Sequence, residues 1–515
     1  MSDTLRTRRE VLQGLTTAIA AASAATPAAD AAARSRTPPH EARRPNIVFF
    51  LGEGVRADEF SLAGNPIIRT PNMDRIGREG ALFRNAFTTN ALCLPSRASF
   101  LTGAYSHTTG ATTNDEAQVP PQFTMVTDVL REHGYETAFI GKSHVRGALM
   151  DHKWDYYFGF KGQANYLHPT ITEGRGGRYE EPKTYNRYVD DILTEKAVEW
   201  IRGRGDKPFC LFLWFYAPHE PFYRPRHLLN LYNGVKIPVP GNFDEDLTDY
   251  AGKSRAVASA YNKIGTTEVN DDNPRSLEEV VKDHYAGVVS NDENVGRVLE
   301  ALERRGQLDD TAIMLSADHG FFLGEHCFYD KRLMYEPAIR IPMMIRWPGR
   351  IPAGEVREEM VLNIDAPVTL LDIAGLPVPK TAQGRSFLPL ARGTPLTDWR
   401  RDWLYEYYEY PVAENVRPHR GIRTERYKLI QFIAIPQFSQ PEEFELYDLA
   451  TDPEENHNLF GRTGYEALTA QLTARLAELR RETGDNYAYT PSRTSFLVAR
   501  YGPPERPEPW RPNGS

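Results

Sequence analysis

Cys93 opens the segment Cys93-Leu94-Pro95-Ser96-Arg97-Ala98-Ser99-Phe100-Leu101-Thr102-Gly103. Pro95 suits the first turn of a helix and Gly103 its end, which places the sulfur at a helix N-terminus. Free N–H groups and the helix dipole favour negative charge there, the setting of a reactive thiolate. Cys210 lies inside an apolar run, where a thiol is a small buried hydrophobe, and Cys327 lies in a loop and is given no role. Other groups that could bind anions or move protons stand far away along the chain, in Gly141-Lys142-Ser143-His144, Ala217-Pro218-His219 and Ala317-Asp318-His319-Gly320. A Lys or His on a loop is ordinarily solvated, so these strings matter only if the fold brings them together.

The elements that carry them share one design. Asn46–Leu51, Glu136–Ile140, Pro208–Tyr216 and Thr311–Ser316 are continuous apolar runs without alternation, the pattern of strands buried on both faces. Helical patterns at Thr124–His133, Asp190–Arg202 and Ser290–Arg305 lie between them, so a largely parallel α/β sheet is expected. Each of the four runs ends in its polar string, the first in Gly52-Glu53-Gly54. The carboxyl edge of an open α/β sheet is where ligands bind, so these residues are expected to meet in one cleft.

From about residue 396 the pattern changes to shorter strand-like pieces, Trp403–Tyr410, Gly421–Arg423, Tyr427–Ile430 and Glu443–Asp448, separated by turn residues. A helix follows from about Tyr465 to Thr483, with Leu468, Leu472, Leu476 and Leu479 on one face. The expected organisation is a catalytic domain at 45–395, a smaller antiparallel sheet with a packed helix at 396–490 and a Pro-rich tail at 491–515. No internal repeat is visible. The segments 146–190 and 223–275 are expected to wall the pocket.

The 515 residues exceed one ordinary core, and 41% hydrophobic with 25% charged residues is a globular composition. A net charge of −8 argues against nucleic acid or an anionic membrane as partner, so any cationic cluster must be built locally. Three cysteines allow at most one disulfide. Thr7-Arg8-Arg9-Glu10-Val11-Leu12-Gln13 and the Ala-rich stretch after it read as a twin-arginine signal peptide over 1–33, followed by a linker over 34–44. The expected location is periplasmic or secreted, with no membrane span in the mature form, since no other stretch nears the ~20 apolar residues that a span requires.

The Cys93-x-Pro95-Ser96-Arg97 string followed by Thr102-Gly103 resembles the signature of type I sulfatases, members of the alkaline phosphatase superfamily. The resemblance runs from about Pro45 to Leu459. It takes in Thr70–Arg75, the Lys142, His219 and Asp318 strings, Gly324-Glu325-His326, Lys331, Tyr335-Glu336, Arg340, Arg423–Leu429 and Glu445–Asp448. It implies the alkaline-phosphatase-like fold, a large mostly parallel sheet sandwiched by helices. It also implies that a maturation enzyme oxidises Cys93 to formylglycine. The hydrated aldehyde has two geminal hydroxyls: one attacks sulfur and displaces the alcohol, and collapse of the other to the aldehyde expels sulfate. By the same resemblance Lys142 and Lys331 bind sulfate oxygens and His144 supports the nucleophile. His219 is the candidate general acid, and Arg97 holds the nucleophile and the metal carboxylates.

The implied metal ligands are Glu53, Asp318, His319 and the modified residue 93, around one divalent cation, with calcium first and magnesium or manganese as alternatives. Here the chain departs from the family, which usually places two aspartates where this sequence has Glu53-Gly54. Water, bidentate Glu53, the formylglycine oxygens, or Asp58 or Glu59 turned inward are the available replacements. The expected substrate is an aryl or carbohydrate sulfate. Phosphonate monoester or phosphodiester hydrolysis within the same superfamily is the first alternative, suggested by Gly54, and a catalytically silent exported binding protein is the second.

Overall fold

The computed structural model describes residues 44–486 apart from 115–118, 121–122, 146–153, 246, 248–252, 261–275 and 411–413. The expected leader, the tail and parts of both pocket-wall segments lie outside the described residues. Eleven strands among the described residues form one sheet. From one edge its main path runs Glu355–Arg357, Ala81–Phe83, Met343–Arg346, Thr311–Ala317 and Asn46–Gly52. It continues through Phe209–Trp214, Glu136–Lys142, Tyr156–Phe160, Thr170–Arg175 and Arg178–Tyr179.

The middle of this sheet is parallel. Asn46–Gly52 pairs in parallel with both Thr311–Ala317 and Phe209–Trp214, and Glu136–Lys142 pairs in parallel with Phe209–Trp214 and Tyr156–Phe160. All but Tyr156–Phe160 are the four runs expected from sequence, each fully or almost fully buried because helices cover both faces. Alternation along the first strand sorts its side chains. Ile47, Phe49 and Leu51 join Phe100, Leu130 and Leu370 on one face, while Val48 and Phe50 join Met73, Leu193 and Val298 on the other.

The helix expected at Ser290–Arg305 is longer than its apolar pattern, running from Leu277 to Arg304. Glu278, Glu279, Lys282 and Asp283 mask the period in its first turns. Its start is fixed instead by a capping box, in which Ser276 Oγ accepts from the Glu279 N–H and the Glu279 carboxylate accepts from the Ser276 N–H.

The C-terminal strands Asp402–Tyr407, His419–Thr424, Tyr427–Phe432 and Glu443–Asp448 form an antiparallel meander. The Glu466–Thr483 helix packs Leu472, Leu476 and Leu479 into the same apolar cluster as Trp403, Tyr405 and Tyr407. Phe87, Leu92 and Tyr335 belong to that cluster too, which joins this sheet to the loops at the large sheet's edge.

One buried contact makes this junction pH-sensitive. His107 Nδ1 lies 2.7 Å from Glu406 Oε2 and its Nε2 lies 3.0 Å from the Thr483 carbonyl. Burial alone would lower the imidazole, but Glu406 and the Thr483 carbonyl outweigh it and raise its pKa from 6.5 to about 9. A raised histidine pKa contributes stability that is complete below pH 6.5 and lost as pH rises through 9. We predict that His107→Gln flattens this decline, removing on the order of 3 kcal/mol at pH 6 and far less at pH 9.5 in denaturant titrations.

Candidate active site

Strand register builds the site. Gly52 is level with Ala317, Leu51 with Trp214 and Gly141 with Trp214, so Glu53, Asp318 and Lys142 leave the sheet at one height. The Cys93–Thr102 helix ends at Gly103 in the left-handed conformation, as its sequence foretold, and starts at this edge. Cys93 and Arg97 are four residues apart, so one helix face presents both thiol and guanidinium to the carboxylates. Between them, Ser96 Oγ donates to the Asp318 carbonyl at 2.5 Å and anchors the helix to the strand end.

The guanidinium is fully buried and divided among three partners. Nη2 lies 2.6 Å from Glu53 Oε2, Nε 3.0 Å from Asp318 Oδ2, and Nη1 2.7 Å from the Lys142 carbonyl. Lys142 Nζ lies 2.9 Å from the same Glu53 oxygen and donates to Gln163 Oε1 at 3.1 Å. The Cys93 thiol donates to Glu53 Oε1 at 2.8 Å, and His319 Nε2 is 3.4 Å from the sulfur. His144 lies close enough to the thiol to interact with it as well. His219 Nε2 stands 3.9 Å from Glu53 and 3.4 Å from Glu220 Oε1, and Lys331 Nζ lies 3.7 Å from that same Glu220 oxygen. All nine residues singled out from sequence thus lie in one connected cluster. Asp58 and Glu59 do not turn inward: Asp58 pairs with Arg56, and Glu59 is held by His284 and the Arg56 N–H.

Burial and the neighbouring Glu53 charge push the Asp318 carboxyl up to about 6. Burial raises Glu53 too, but Lys142 and Arg97 overcome it and hold that carboxyl well below its usual range. For Cys93, burial and Glu53 oppose ionisation. The Lys142 and Lys331 ammoniums and the nearby His144 outweigh them, so the thiol sits well below its ordinary value. These are the electrostatics of a site that tolerates an anion at position 93.

Glu53, Cys93, Asp318 and His319 offer donor atoms that all lie within 4.8 Å of one another, and all four residues are buried. His319 Nδ1 is tied to the Gly320 carbonyl at 2.7 Å, which leaves Nε2 as the ring atom facing the cluster, the arrangement of a ligating imidazole. Two adjacent buried carboxylates, one of them raised by the other, fit a divalent cation. Gly54 adds no ligand, and the backbone explains its type: φ is +67°, and a Cβ would come within 3.3 Å of the Phe321 ring and 3.4 Å of His319 Cε1. Its N–H instead donates to Asp318 Oδ1 at 3.0 Å.

Several polar neighbours escaped the sequence reading. Glu220 joins His219 to Lys331, and Gln163 holds Lys142. Asp330 and Arg332 flank Lys331 and pair with one another, both at positive φ, and Arg332 also reaches Glu414 at 2.9 Å. The Pro218-His219-Glu220-Pro221 and Asp330-Lys331-Arg332 strings held the only available signal, charged residues flanking residues already singled out.

Residues 45–376 match the family model described as sulfatase, and residues 324–482 match that of the N-sulphoglucosamine sulphohydrolase C-terminal region. The chain is 35% identical to an N-acetylglucosamine-6-O-sulfatase of Bacteroides thetaiotaomicron, over 87% of this chain and 88% of that protein. It is 29% identical to a multifunctional alkaline phosphatase superfamily protein of Trinickia caryophylli, over 86% of this chain and 96% of that one. Among solved structures, one held in complex with its substrate D-glucosamine-2-N,6-O-disulfate superposes with a TM-score of 0.79 at 32% identity, covering 86% of this chain and 99% of the other.

Two predictions follow from the geometry. Arg97→Met strands two buried carboxylates and is expected to cost about 3–5 kcal/mol in chemical denaturation. Arg97→Lys should recover part of that stability but not activity, because an ammonium cannot span three partners. Gly54→Asp should weaken divalent-cation binding, measured by calorimetry, by straining its left-handed backbone and crowding Phe321 and His319. The double variant with His319→Asn, which relieves one of those contacts, should recover part of it, so the two substitutions are non-additive.

Proposed function

The chain belongs to the sulfatase family of the alkaline phosphatase superfamily and is an enzyme that hydrolyses sulfate esters, and on that premise we propose that it removes sulfate from the 6-position of a glucosamine-type sugar in a sulfated glycan. Supporting this choice among sulfate esters are the N-acetylglucosamine-6-O-sulfatase at 35% identity and the glucosamine disulfate complex at 32%. The observation that carries the chemistry is the Cys93 sulfur, held at a helix N-terminus 2.8 Å from Glu53 and 3.4 Å from His319 and under the charge of Lys142 and Lys331.

In this reading Cys93 is matured to formylglycine, and Glu53, Asp318, His319 and residue 93 hold one divalent cation, calcium first by resemblance. When bound, the cation would supply positive charge beside the sulfate and residue 93. Lys142 and Lys331 neutralise charge on the sulfonyl oxygens, Arg97 fixes the carboxylates, and His144 orients the hydroxyl at position 93. His219 donates a proton to the departing alkoxide. Its Nδ1 is occupied by the Glu220 carbonyl at 2.5 Å, so Nε2, 3.4 Å from the Glu220 carboxylate, is the ring atom left to hand over the proton. A sugar alkoxide is a poor leaving group, so this proton matters more for a glycan sulfate than for an aryl sulfate.

The leader supports export by the twin-arginine route after oxidation of Cys93 by a maturation enzyme, giving a periplasmic or secreted protein. No described helix is long and apolar enough to cross a membrane. The catalytic domain is assigned to 45–395 and the C-terminal subdomain to 396–490.

Phosphonate or phosphodiester hydrolysis is the second reading. Gly54 and the likeness to the multifunctional superfamily protein favour it.

A substrate panel tests both readings. Enzyme co-expressed with a formylglycine-generating partner is expected to release inorganic sulfate from N-acetylglucosamine 6-sulfate faster than it cleaves an aryl phosphonate or a phosphodiester. The reverse order would establish the second reading. Cys93→Ala should lower turnover at least about a thousandfold. An intact thiol at position 93 in fully active enzyme, seen by peptide mass spectrometry, would refute the formylglycine mechanism.

A further inference from the structure

His219 stands on a turn that leaves the sheet just beyond the Phe209–Trp214 strand. The last sheet bond there is from the Phe215 N–H to the Leu51 carbonyl, at 2.9 Å. The next two N–H groups, of Tyr216 and Ala217, are buried and have no strand to pair with. Both are taken by one side chain, Asp190, which accepts from Tyr216 at Oδ1 and from Ala217 at Oδ2, each at 2.8 Å. Asp190 lies in the first turn of the Val189–Arg202 helix, is completely buried and has no ion-pair partner among the described residues.

The turn is gripped from a second side. Asn291 Nδ2, on the Leu277–Arg304 helix, donates to the Ala217 carbonyl at 2.6 Å. On the same helix Gly287 packs so tightly on Pro218 that a Cβ there would lie 2.7 Å from the Pro218 Cβ. The His219 N–H then bonds the Tyr216 carbonyl at 3.0 Å, and the Tyr216 ring stacks on the imidazole with centroids 5.2 Å apart. What Asp190 fixes is therefore the residue on which the imidazole leans.

We propose that Asp190, opposed by Asn291, is the positioning residue of the general acid: it holds the Tyr216–His219 turn so that His219 Nε2 points at the leaving oxygen. A buried carboxylate without a cation is costly, and burial raises Asp190 to about 7. Its two hydrogen bonds explain why the residue is an acid. A carboxylate accepts at both oxygens, whereas an asparagine amide would meet one of the two N–H groups with its own donor.

The proposal rests on His219 being the general acid, and the test separates the two. For the full, matured chain, kcat and KM are measured on N-acetylglucosamine 6-sulfate and on 4-nitrophenyl sulfate, whose phenolate leaves without protonation. His219→Asn is the benchmark and should raise the aryl-to-sugar ratio of kcat/KM by about a hundredfold. Asp190→Asn should raise the same ratio by about tenfold or more, through kcat with KM little changed, since a displacement of about 1 Å is enough to misalign a proton donor. Asn291→Ala should move it in the same direction and serves if Asp190→Asn folds poorly. If the benchmark raises the ratio but Asp190→Asn and Asn291→Ala lower both substrates equally, Asp190 is merely structural and the proposal fails. If the benchmark leaves the ratio unchanged, the general-acid reading falls and the proposal with it.

Discussion

The site depends on one buried guanidinium. Arg97 reaches the ends of three strands at once, through Glu53 after the first, the Lys142 carbonyl on another and Asp318 after a third. Its face lies 5.4 Å from the Trp214 ring centroid, so the strand between them contributes as well. Burying two carboxylates together is strongly unfavourable unless a cation satisfies both. Lysine carries that charge at a point, while the planar fork of arginine distributes it along fixed directions. The fork therefore neutralises the carboxylates and also sets their separation. Cys93, one helical turn earlier, is positioned by the same contact.

The parallel register makes such a contact possible. Residues 53, 142 and 318 are remote in sequence, yet parallel pairing sends every strand toward the same edge and leaves them level. An antiparallel sheet would have sent alternate strand ends to opposite edges. The helices on the two faces hold the strands rigid, and the long Leu277–Arg304 helix reaches the site side through Asn291 and Gly287, so core packing and site geometry share parts.

This division explains what could be read from the sequence. The four central strands, the helix from Cys93 and the C-terminal meander were legible because uninterrupted apolar runs and turn residues reflect local rules. The nine candidate residues were legible because they sit at the ends of those runs or within motifs. The start of the Leu277 helix was hidden by surface charge, and Glu220, Gln163 and Arg332 were hidden because their partners are tertiary. Asp190 shows the limit most clearly. In sequence it is one of two acidic residues in the first turn of a helix, a position where acids are common for reasons of helix dipole alone. Only the three-dimensional meeting with Tyr216 and Ala217 reveals a different use.

Charge balance gives the departure at Gly54 its meaning. Around the site three fixed cations, Arg97, Lys142 and Lys331, are matched by carboxylates, Glu53 and Asp318 on the first two and Glu220 and Asp330 on the third. Such a set is close to neutral and exerts little pull on a sulfate monoanion, within a chain whose overall charge is negative. A divalent cation held among the four donor residues would tip the balance toward anion binding. A second aspartate in place of Gly54 would return part of that charge to neutrality. Losing one carboxylate while placing an imidazole beside it would leave the same ion a more strongly attracting centre, at the expense of a ligand that solvent can replace. The glycine is then a setting of the site's net charge, imposed through a left-handed backbone conformation in which a Cβ would crowd the Phe321 ring beside His319.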